Sequence, residues 1–307
     1  MPELPEVENL RYGLKKTIVG QKIKKVIVNK PKLISGKGNV RFASQKKTRE
    51  FTREIPREKF LAVERRAKNL IFKLSHGKII LAHLKMSGQF AYCQRPPLTT
   101  LSRTVLDKVV GGHPIKLSEK ELPNKHTHII FELEKGTLYY NDTRMFGYVL
   151  YYPSAEKFEA ENHFGFYGLE PFDKVFTVKY LASALASKKS KIKTVLMGQK
   201  VVVGIGNIYA DESLFEARIR PDRSAVSLSA REVKNLYTAI LRIMRQAVKV
   251  GGSSVATYRM LDMSQGNYAR EHKIYGKAGQ KCPRCKKPLR KIIIQSRTTI
   301  FCPRCQK

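Results

Sequence analysis

Acidic residues are scarce in this chain of 307 residues: 25 aspartates and glutamates stand against 59 lysines and arginines, a net charge of +34. Solubility does not require such an excess, so a polyanion is the expected partner, nucleic acid before a membrane surface. Cysteine is scarcer still. Four of the five cysteines form two close pairs near the C-terminus, which fits metal binding in a reducing compartment better than a disulfide framework. The remaining one, Cys93, reads as a small, partly buried residue without a further role. No window approaches the roughly 18 uninterrupted apolar residues of a membrane-spanning helix, and the N-terminus lacks a basic-then-apolar signal region. No membrane association is therefore expected, and a cytoplasmic location is. No internal repeat of useful length is present. At 42% hydrophobic residues the chain can still bury a real core, and its length exceeds one average domain.

The pattern along the chain predicts an α+β multidomain protein. Apolar Val7, Leu10 and Leu14 put one stripe on a short helix over Pro5 to Lys16. Strand-like runs follow at Lys24 to Val28, Leu61 to Glu64, Leu70 to Leu74, Ile79 to His83, His128 to Leu133 and Leu138 to Tyr140, giving a β-rich first domain over 1–155. The stretch from Gln94 to Asn124, punctuated by proline and lysine, reads as a long surface loop or insertion. From Phe176 the period becomes helical: Val178 to Ser187, Lys191 to Met197, Asp211 to Ala217 and Ala230 to Val250 define a mainly α domain over 156–270. Glycines 251 and 252 end it, and the polar stretch to Gly276 reads as a loop before a module over 271–307.

In that module Cys282-x2-Cys285 and Cys302-x2-Cys305 each lie in a Cys-Pro-Arg-Cys string. Four thiolates at this spacing close a tetrahedral shell around one zinc ion, with no open position for water, so the metal is expected to be structural. Lys291 to Ser296 and Thr298 to Phe301 are expected to form a hairpin with Arg297 at or near its tip, placed to enter a DNA groove. The opening Met1-Pro2-Glu3 matters for a different reason. A small second residue permits removal of methionine, exposing the Pro2 amine, which titrates near pH 8 and is about one-tenth uncharged at neutral pH, far more than a lysine. Such an amine is a nucleophile. On a sugar's anomeric carbon it forms an iminium ion that acidifies the neighbouring proton and lets phosphate leave, while Glu3 would shuttle protons to the ring and the departing group.

Met1 to Glu8, taken with the cysteine module, resembles the formamidopyrimidine-DNA glycosylase family, and further strings over nearly the whole chain extend the likeness. By this resemblance Lys68, in Arg65-Arg66-Ala67-Lys68-Asn69-Leu70, contacts phosphate or assists base release. Met86, in His83-Leu84-Lys85-Met86-Ser87-Gly88, fills the hole left by an everted nucleotide. Arg144 and Phe146, in Asp142 to Gly147, face the orphaned base and wedge between its neighbours. The Lys125-His126 segment belongs to the same DNA-binding set. Gly204 to Glu212, with Gln199 upstream, resembles the family's helix-two-turn-helix segment, in which Asn207 and free amides bind phosphate. Arg297-Thr298-Thr299 resembles the hairpin arginine that grips the phosphate flanking the lesion. Wedges make physical sense because a stacked base must be extruded before its bond to the sugar can be reached.

The resemblance implies an N-terminal β-sandwich with the catalytic terminus, a helical DNA-binding domain and a zinc finger. It implies a bifunctional glycosylase and AP lyase of base excision repair, acting as a monomer in the bacterial nucleoid on double-stranded DNA containing an oxidised purine. Three features depart from the pattern: the insertion, Thr127 in place of an expected acid, and a loosely matching lesion loop from Ser253 to Tyr268. Three rivals remain. A sister endonuclease VIII-like enzyme would prefer oxidised pyrimidines, against which the Met86, Arg144 and Phe146 set speaks. A non-catalytic DNA binder would not need Pro2, Glu3 and Lys68 together. An RNA-binding or ribosome-associated protein would explain the charge and the finger but not the wedges.

Overall fold

The structure, a computed structural model, describes residues 1–37, 40–94, 108–112, 122–253 and 266–307, with backbone alone at 37 and 108–112. It divides into two compact units: Met1–Pro2, Glu6–His163 and the described ends of Ser253–Gly266 form the first, and Glu3–Pro5, Phe164–Gly252 and Asn267–Lys307 the second. Among the described residues no helix is long and apolar enough to cross a membrane.

Helix α1 runs over Leu4–Ile18, and Val7, Leu10, Leu14 and Ile18 make its buried stripe, the predicted face continued by one turn. After strand β1 (Ile23–Val28) come the short pair β2 (Gly36–Lys37) and β3 (Val40–Arg41). Helix α2 (Gln45–Glu54) was not expected, because Phe51 is the single apolar residue in it. It is started by the Ser44 hydroxyl, which accepts the Lys47 amide, and held by one buried residue, Phe51, against Phe131 and Tyr151.

Strands β4 (Phe60–Arg66), β5 (Asn69–Leu74), β6 (Ile79–His83), β7 (Gly88–Gln94), β8 (Lys108–Gly112), β9 (Thr127–Leu133), β10 (Gly136–Asp142) and β11 (Tyr148–Tyr152) complete the first unit with the short helix α3 (Ala155–Ala160). They form two antiparallel sheets, ordered β1-β9-β10-β7-β8 and β11-β6-β5-β4. Phe60 meets Phe131 and Phe72 meets Phe90 across them, at centroid separations of 6.4 and 5.5 Å, so the two sheets share one core and make a sandwich. β7 and β11 were not among the expected strands; almost every residue in them is buried, so neither shows the alternation of a half-exposed strand, a property they share with β6, which was found. The insertion also needs correction. Within it Lys108–Gly112 is a strand paired with Gln89–Cys93 at the sheet edge, while the rest, 95–107 and 113–121, lies outside the described residues.

In the second unit, helices α4 (Val178–Leu185), α5 (Ile192–Met197), α6 (Asn207–Glu216) and α7 (Ala230–Lys249) enclose one apolar core. α7 begins with a capping box, in which Ser229 and Glu232 each accept the other's backbone N–H. α6 begins four residues before the predicted Asp211. The polar stretch read as a loop contains a short helix, α8 (Tyr268–Glu271), whose Tyr268 stacks near Tyr209 at 5.5 Å. Strands β12 (Arg290–Ile294) and β13 (Arg297–Phe301) form the terminal hairpin, in register from Arg290 opposite Phe301 to Ile294 opposite Arg297.

Candidate active site and nucleic-acid interface

At the start of α6 the Glu3 carboxylate, 3% exposed, accepts backbone N–H bonds from Gly206 (2.5 Å), Ile208 (2.9 Å) and Tyr209 (3.4 Å). A helix N-terminus leaves its first N–H groups without intrahelical partners and carries partial positive charge, so a buried carboxylate is a natural occupant. These amides were expected to be free for phosphate; they are engaged instead. The glycines serve the same arrangement. A Cβ on Gly206 would lie 2.5 Å from the Glu3 carboxyl carbon, and one on Gly204, whose φ is +86°, would lie 2.5 Å from Leu4. The Leu4 amide in turn donates to the Gly204 carbonyl at 3.0 Å. Gln199, the upstream match, clasps the turn by accepting the Gly204 amide at 2.8 Å and donating to the Ile205 carbonyl at 2.7 Å. Pro2 is buried and Met1 exposed.

Asn207 opens α6 and its side-chain amide donates to the Thr298 carbonyl at 3.1 Å, beside Arg297 in β13. The hairpin turn is Gln295-Ser296, both with positive φ (48° and 59°), the two-residue geometry whose twist matches antiparallel strands. Arg297 thus stands just past the tip, and it is exposed. Below it the four predicted cysteines converge, with their sulfurs all within 4.8 Å of one another. Cys282 and Cys305 are 3.9 Å apart and Cys285 and Cys302 3.4 Å. Thiolates around one tetrahedral zinc, at bonds of about 2.3 Å, stand about 3.8 Å apart, so the set fits that ion. Burial, then the neighbouring sulfurs, push the Cys305 thiol up to about 12, a crowding that a dication reverses. The finger therefore has the ligand set of a zinc site.

In the first unit, Lys68 sits not on a strand but in the turn between β4 and β5, after Ala67 with φ 53°, and is 6% exposed. Arg65 braces this turn by donating to the Ala67 carbonyl at 2.9 Å and pairing with Glu8 of α1 at 2.7 Å. Burial alone would raise the Glu8 carboxyl, yet hydrogen bonds from Arg11 and Arg65 hold it below the ordinary range. Met86 lies half-buried in the β6–β7 turn. There the buried His83 ring accepts the Lys85 amide at 2.9 Å on Nδ1, and burial, with Lys85 and Lys68 nearby, holds the imidazole well below its usual pKa and hence neutral.

Arg144 and Phe146 are both exposed on the β10–β11 turn, the guanidinium 4.7 Å from the ring centroid, while Met145 between them packs on the core. Lys125 is exposed and His126 half-buried in the turn before β9. Thr127, where an acid was expected, closes that turn: its hydroxyl accepts the Asn124 amide at 2.9 Å and donates to Asn141 at 2.8 Å. The structure thus brings Lys68, Met86, Arg144, Phe146, Lys125 and His126 onto turns of one unit, and Glu3, Asn207 and Arg297 into the other. Of the lesion loop, residues 254–265 lie outside the described residues.

One pair escaped the sequence reading. Lys193, on α5, and Asp211, on α6, form a buried ion pair, and Lys193 also donates to the Thr299 hydroxyl at 2.7 Å. Burial pushes the Asp211 carboxyl up to about 7 and the Lys193 ammonium down. A lysine among the mostly apolar residues of α5 was the only local signal.

Family models match three consecutive parts of the chain: the formamidopyrimidine-DNA glycosylase N-terminal domain over residues 1–149, the formamidopyrimidine-DNA glycosylase H2TH domain over 167–259, and a zinc finger found in FPG and IleRS over 279–307. Formamidopyrimidine-DNA glycosylases from Desulfitobacterium hafniense (strain DSM 10664 / DCB-2) and Listeria monocytogenes serotype 4b (strain F2365) are 33% and 38% identical, each aligned over 100% of both chains. Among solved structures, a Lactococcus lactis FPG mutant in complex with Fapy-dG containing DNA has a TM-score of 0.82 at 32% identity. The wild-type Lactococcus lactis enzyme with oxidized pyrimidine containing DNA has 0.81 at 31%, and both structures cover 100% of both chains.

Proposed function

The chain belongs to the formamidopyrimidine-DNA glycosylase family, and we propose that it is a bifunctional glycosylase and AP lyase that removes oxidised purines from double-stranded DNA through its N-terminal proline. The domains proposed for this work are 1–155, 156–270 and 271–307, with one structural zinc in the last. The observation that carries the proposal is the buried Glu3 carboxylate, fixed by the first amides of α6 immediately after Pro2. A group whose geometry is set before substrate arrives suits proton transfer at a defined atom.

Once Met1 is removed, the Pro2 nitrogen attacks C1′ of the damaged nucleotide, and the base leaves with the bonding electrons and a proton. Glu3 relays protons to the departing base and to O4′, whose bond to C1′ breaks to give the Pro2 iminium ion. Loss of a C2′ proton from the iminium ion breaks the 3′ C–O bond, and a second elimination breaks the 5′ C–O bond, leaving a one-nucleotide gap and a sugar remnant that water hydrolyses from Pro2. Lys68 assists base release. Met86, Arg144 and Phe146 hold the vacated stack, with Arg144 on the orphaned base. Lys125, His126, Asn207 and Arg297 contact DNA, Arg297 at the phosphate flanking the lesion. Zinc supplies no step; its four cysteines hold the hairpin that bears Arg297.

A second substrate class has its own support, since the Lactococcus lactis relative was solved with oxidized pyrimidine containing DNA. Borohydride trapping on duplexes with 8-oxoguanine opposite cytosine, and on thymine glycol duplexes, separates the readings, with Pro2→Gly as control. A covalent complex on the purine lesion, lost in the variant, is expected. Trapping on thymine glycol alone would move the protein to pyrimidine repair, and tight binding without trapping on either would overturn the catalytic reading.

A further inference from the structure

Three turns of the first unit carry the residues assigned above to the vacated stack and the DNA strand: 84–87 with Met86, 124–127 with Lys125 and His126, and 142–147 with Arg144 and Phe146. They meet at one residue. Asp142, 0% exposed, accepts the Ser87 hydroxyl at 2.5 Å and the Arg144 amide at 3.2 Å on Oδ1, and the Gly147 amide at 2.8 Å on Oδ2. Its backbone amide donates to the His126 carbonyl at 3.0 Å, and its carbonyl meets His128 Nε2 at 2.8 Å. Ser87 closes the link, because the Arg144 amide also donates to its hydroxyl, at 3.1 Å.

The packing leaves little freedom. A Cβ at Gly147 would stand 1.9 Å from the Tyr140 hydroxyl and 3.0 Å from Asp142 Oδ2, and one at Gly88 would stand 2.6 Å from the Leu84 carbonyl oxygen. Each wedge turn is thus closed by a glycine against the same buried wall. Neither Asp142 nor Ser87 reaches outward to a base or phosphate, since both spend their polar atoms on the turns themselves. Exposed wedges on flexible turns would lose insertion energy to ordering, whereas wedges held by buried bonds have that cost met on folding.

We infer that Ser87 and Asp142 are positioning residues that lock the Met86 turn to the Arg144–Phe146 turn, so that the wedges enter the duplex as one preset unit. The inference rests on the glycosylase reading above. Single-turnover excision of 8-oxoguanine from duplex DNA tests it, with wild type, Ser87→Ala and Ser87→Thr measured beside Met86→Ala/Arg144→Ala with and without Ser87→Ala. Thermal melting is followed for each. In the otherwise native protein, Ser87→Ala is expected to slow excision about tenfold, the scale of a lost hydrogen bond to a charged group, and Ser87→Thr to restore it. In the double-variant background the same change is expected to cost less than about twofold, because no wedge pair remains to be aimed. A 2-aminopurine beside a tetrahydrofuran abasic site reports unstacking directly, and its fluorescence rise should shrink with Ser87→Ala and return with Ser87→Thr. Equal slowing in both backgrounds, or wild-type behaviour of Ser87→Ala, would overturn the inference. Wild-type protein that excises nothing would instead overturn the glycosylase reading, and the inference with it.

Discussion

The Lys193 ammonium lies 2.6 Å from the Asp211 carboxylate, and neither side chain has exposed surface. Asp211 also accepts the Ile300 amide at 3.1 Å, so the pair fastens β13 to helices α5 and α6 and thereby sets the base of the hairpin that carries Arg297. Lys193→Met removes one member and leaves an uncompensated buried carboxylate. At pH 8 the expected cost is about 3–5 kcal/mol in urea unfolding, with most of it recovered in Lys193→Met/Asp211→Leu. Equal losses in the single and double variants would mean the pair is not the fastening.

The same carboxylate gives a pH dependence. Its folded pKa of about 7 lies above the ordinary 3.8, so between about pH 4 and pH 7 the folded chain holds a proton that the unfolded chain has released. The stability contributed by this group therefore falls as pH rises through that window. Relative to Asp211→Asn, wild-type stability should decline from pH 4 to 7 and level off above; a difference that rises with pH would reverse the assignment.

Gly206→Ala tests the seat of Glu3. Its φ of −127° lies outside the left-handed region that favours glycine, and the nearest atoms a new Cβ would meet belong to Glu3, the carboxyl carbon at 2.5 Å. A destabilisation of about 1–3 kcal/mol is expected, with a larger loss of excision than of DNA binding. Unchanged excision would show that Glu3 need not stand there.

Chelation should release one zinc per chain, measured by atomic absorption, and cooperative melting of the hairpin core around Leu289 and Ile300 should go with it. DNA affinity is expected to fall at least about tenfold, because loss of the ion frees the four cysteines that help hold the hairpin in place. Retained affinity after complete zinc loss would place the main DNA contacts elsewhere.

Arg297→Ala should weaken binding to damaged and undamaged duplexes alike and lower the slope of log affinity against log salt by about 1, the signature of one phosphate contact. An unchanged slope would show that the guanidinium does not reach a phosphate.

Much of this was readable along the chain because the deciding partners are neighbours in sequence. The cysteine pairs, the hairpin between them, the strand Ile79–His83 and the apolar stripe of α1 are set by spacings of two to four residues, and the structure has them there, with the hairpin turn at Gln295-Ser296, inside the first expected strand. The strings around Lys68, Met86, Arg144 and Gly204 likewise fall on turns between elements, and that around Glu3 at the start of α1. What those turns do for one another was not readable. Glu3 starts α6 from 203 residues away, which is why the helix begins at Asn207 rather than at the expected Asp211. Asp142 gathers turns 55 residues apart, and Lys193 reaches Thr299 across 106. A hydrogen-bonding group has many acceptable partners in a sequence, and only the closed fold, which excludes water and must satisfy most buried polar atoms, selects one.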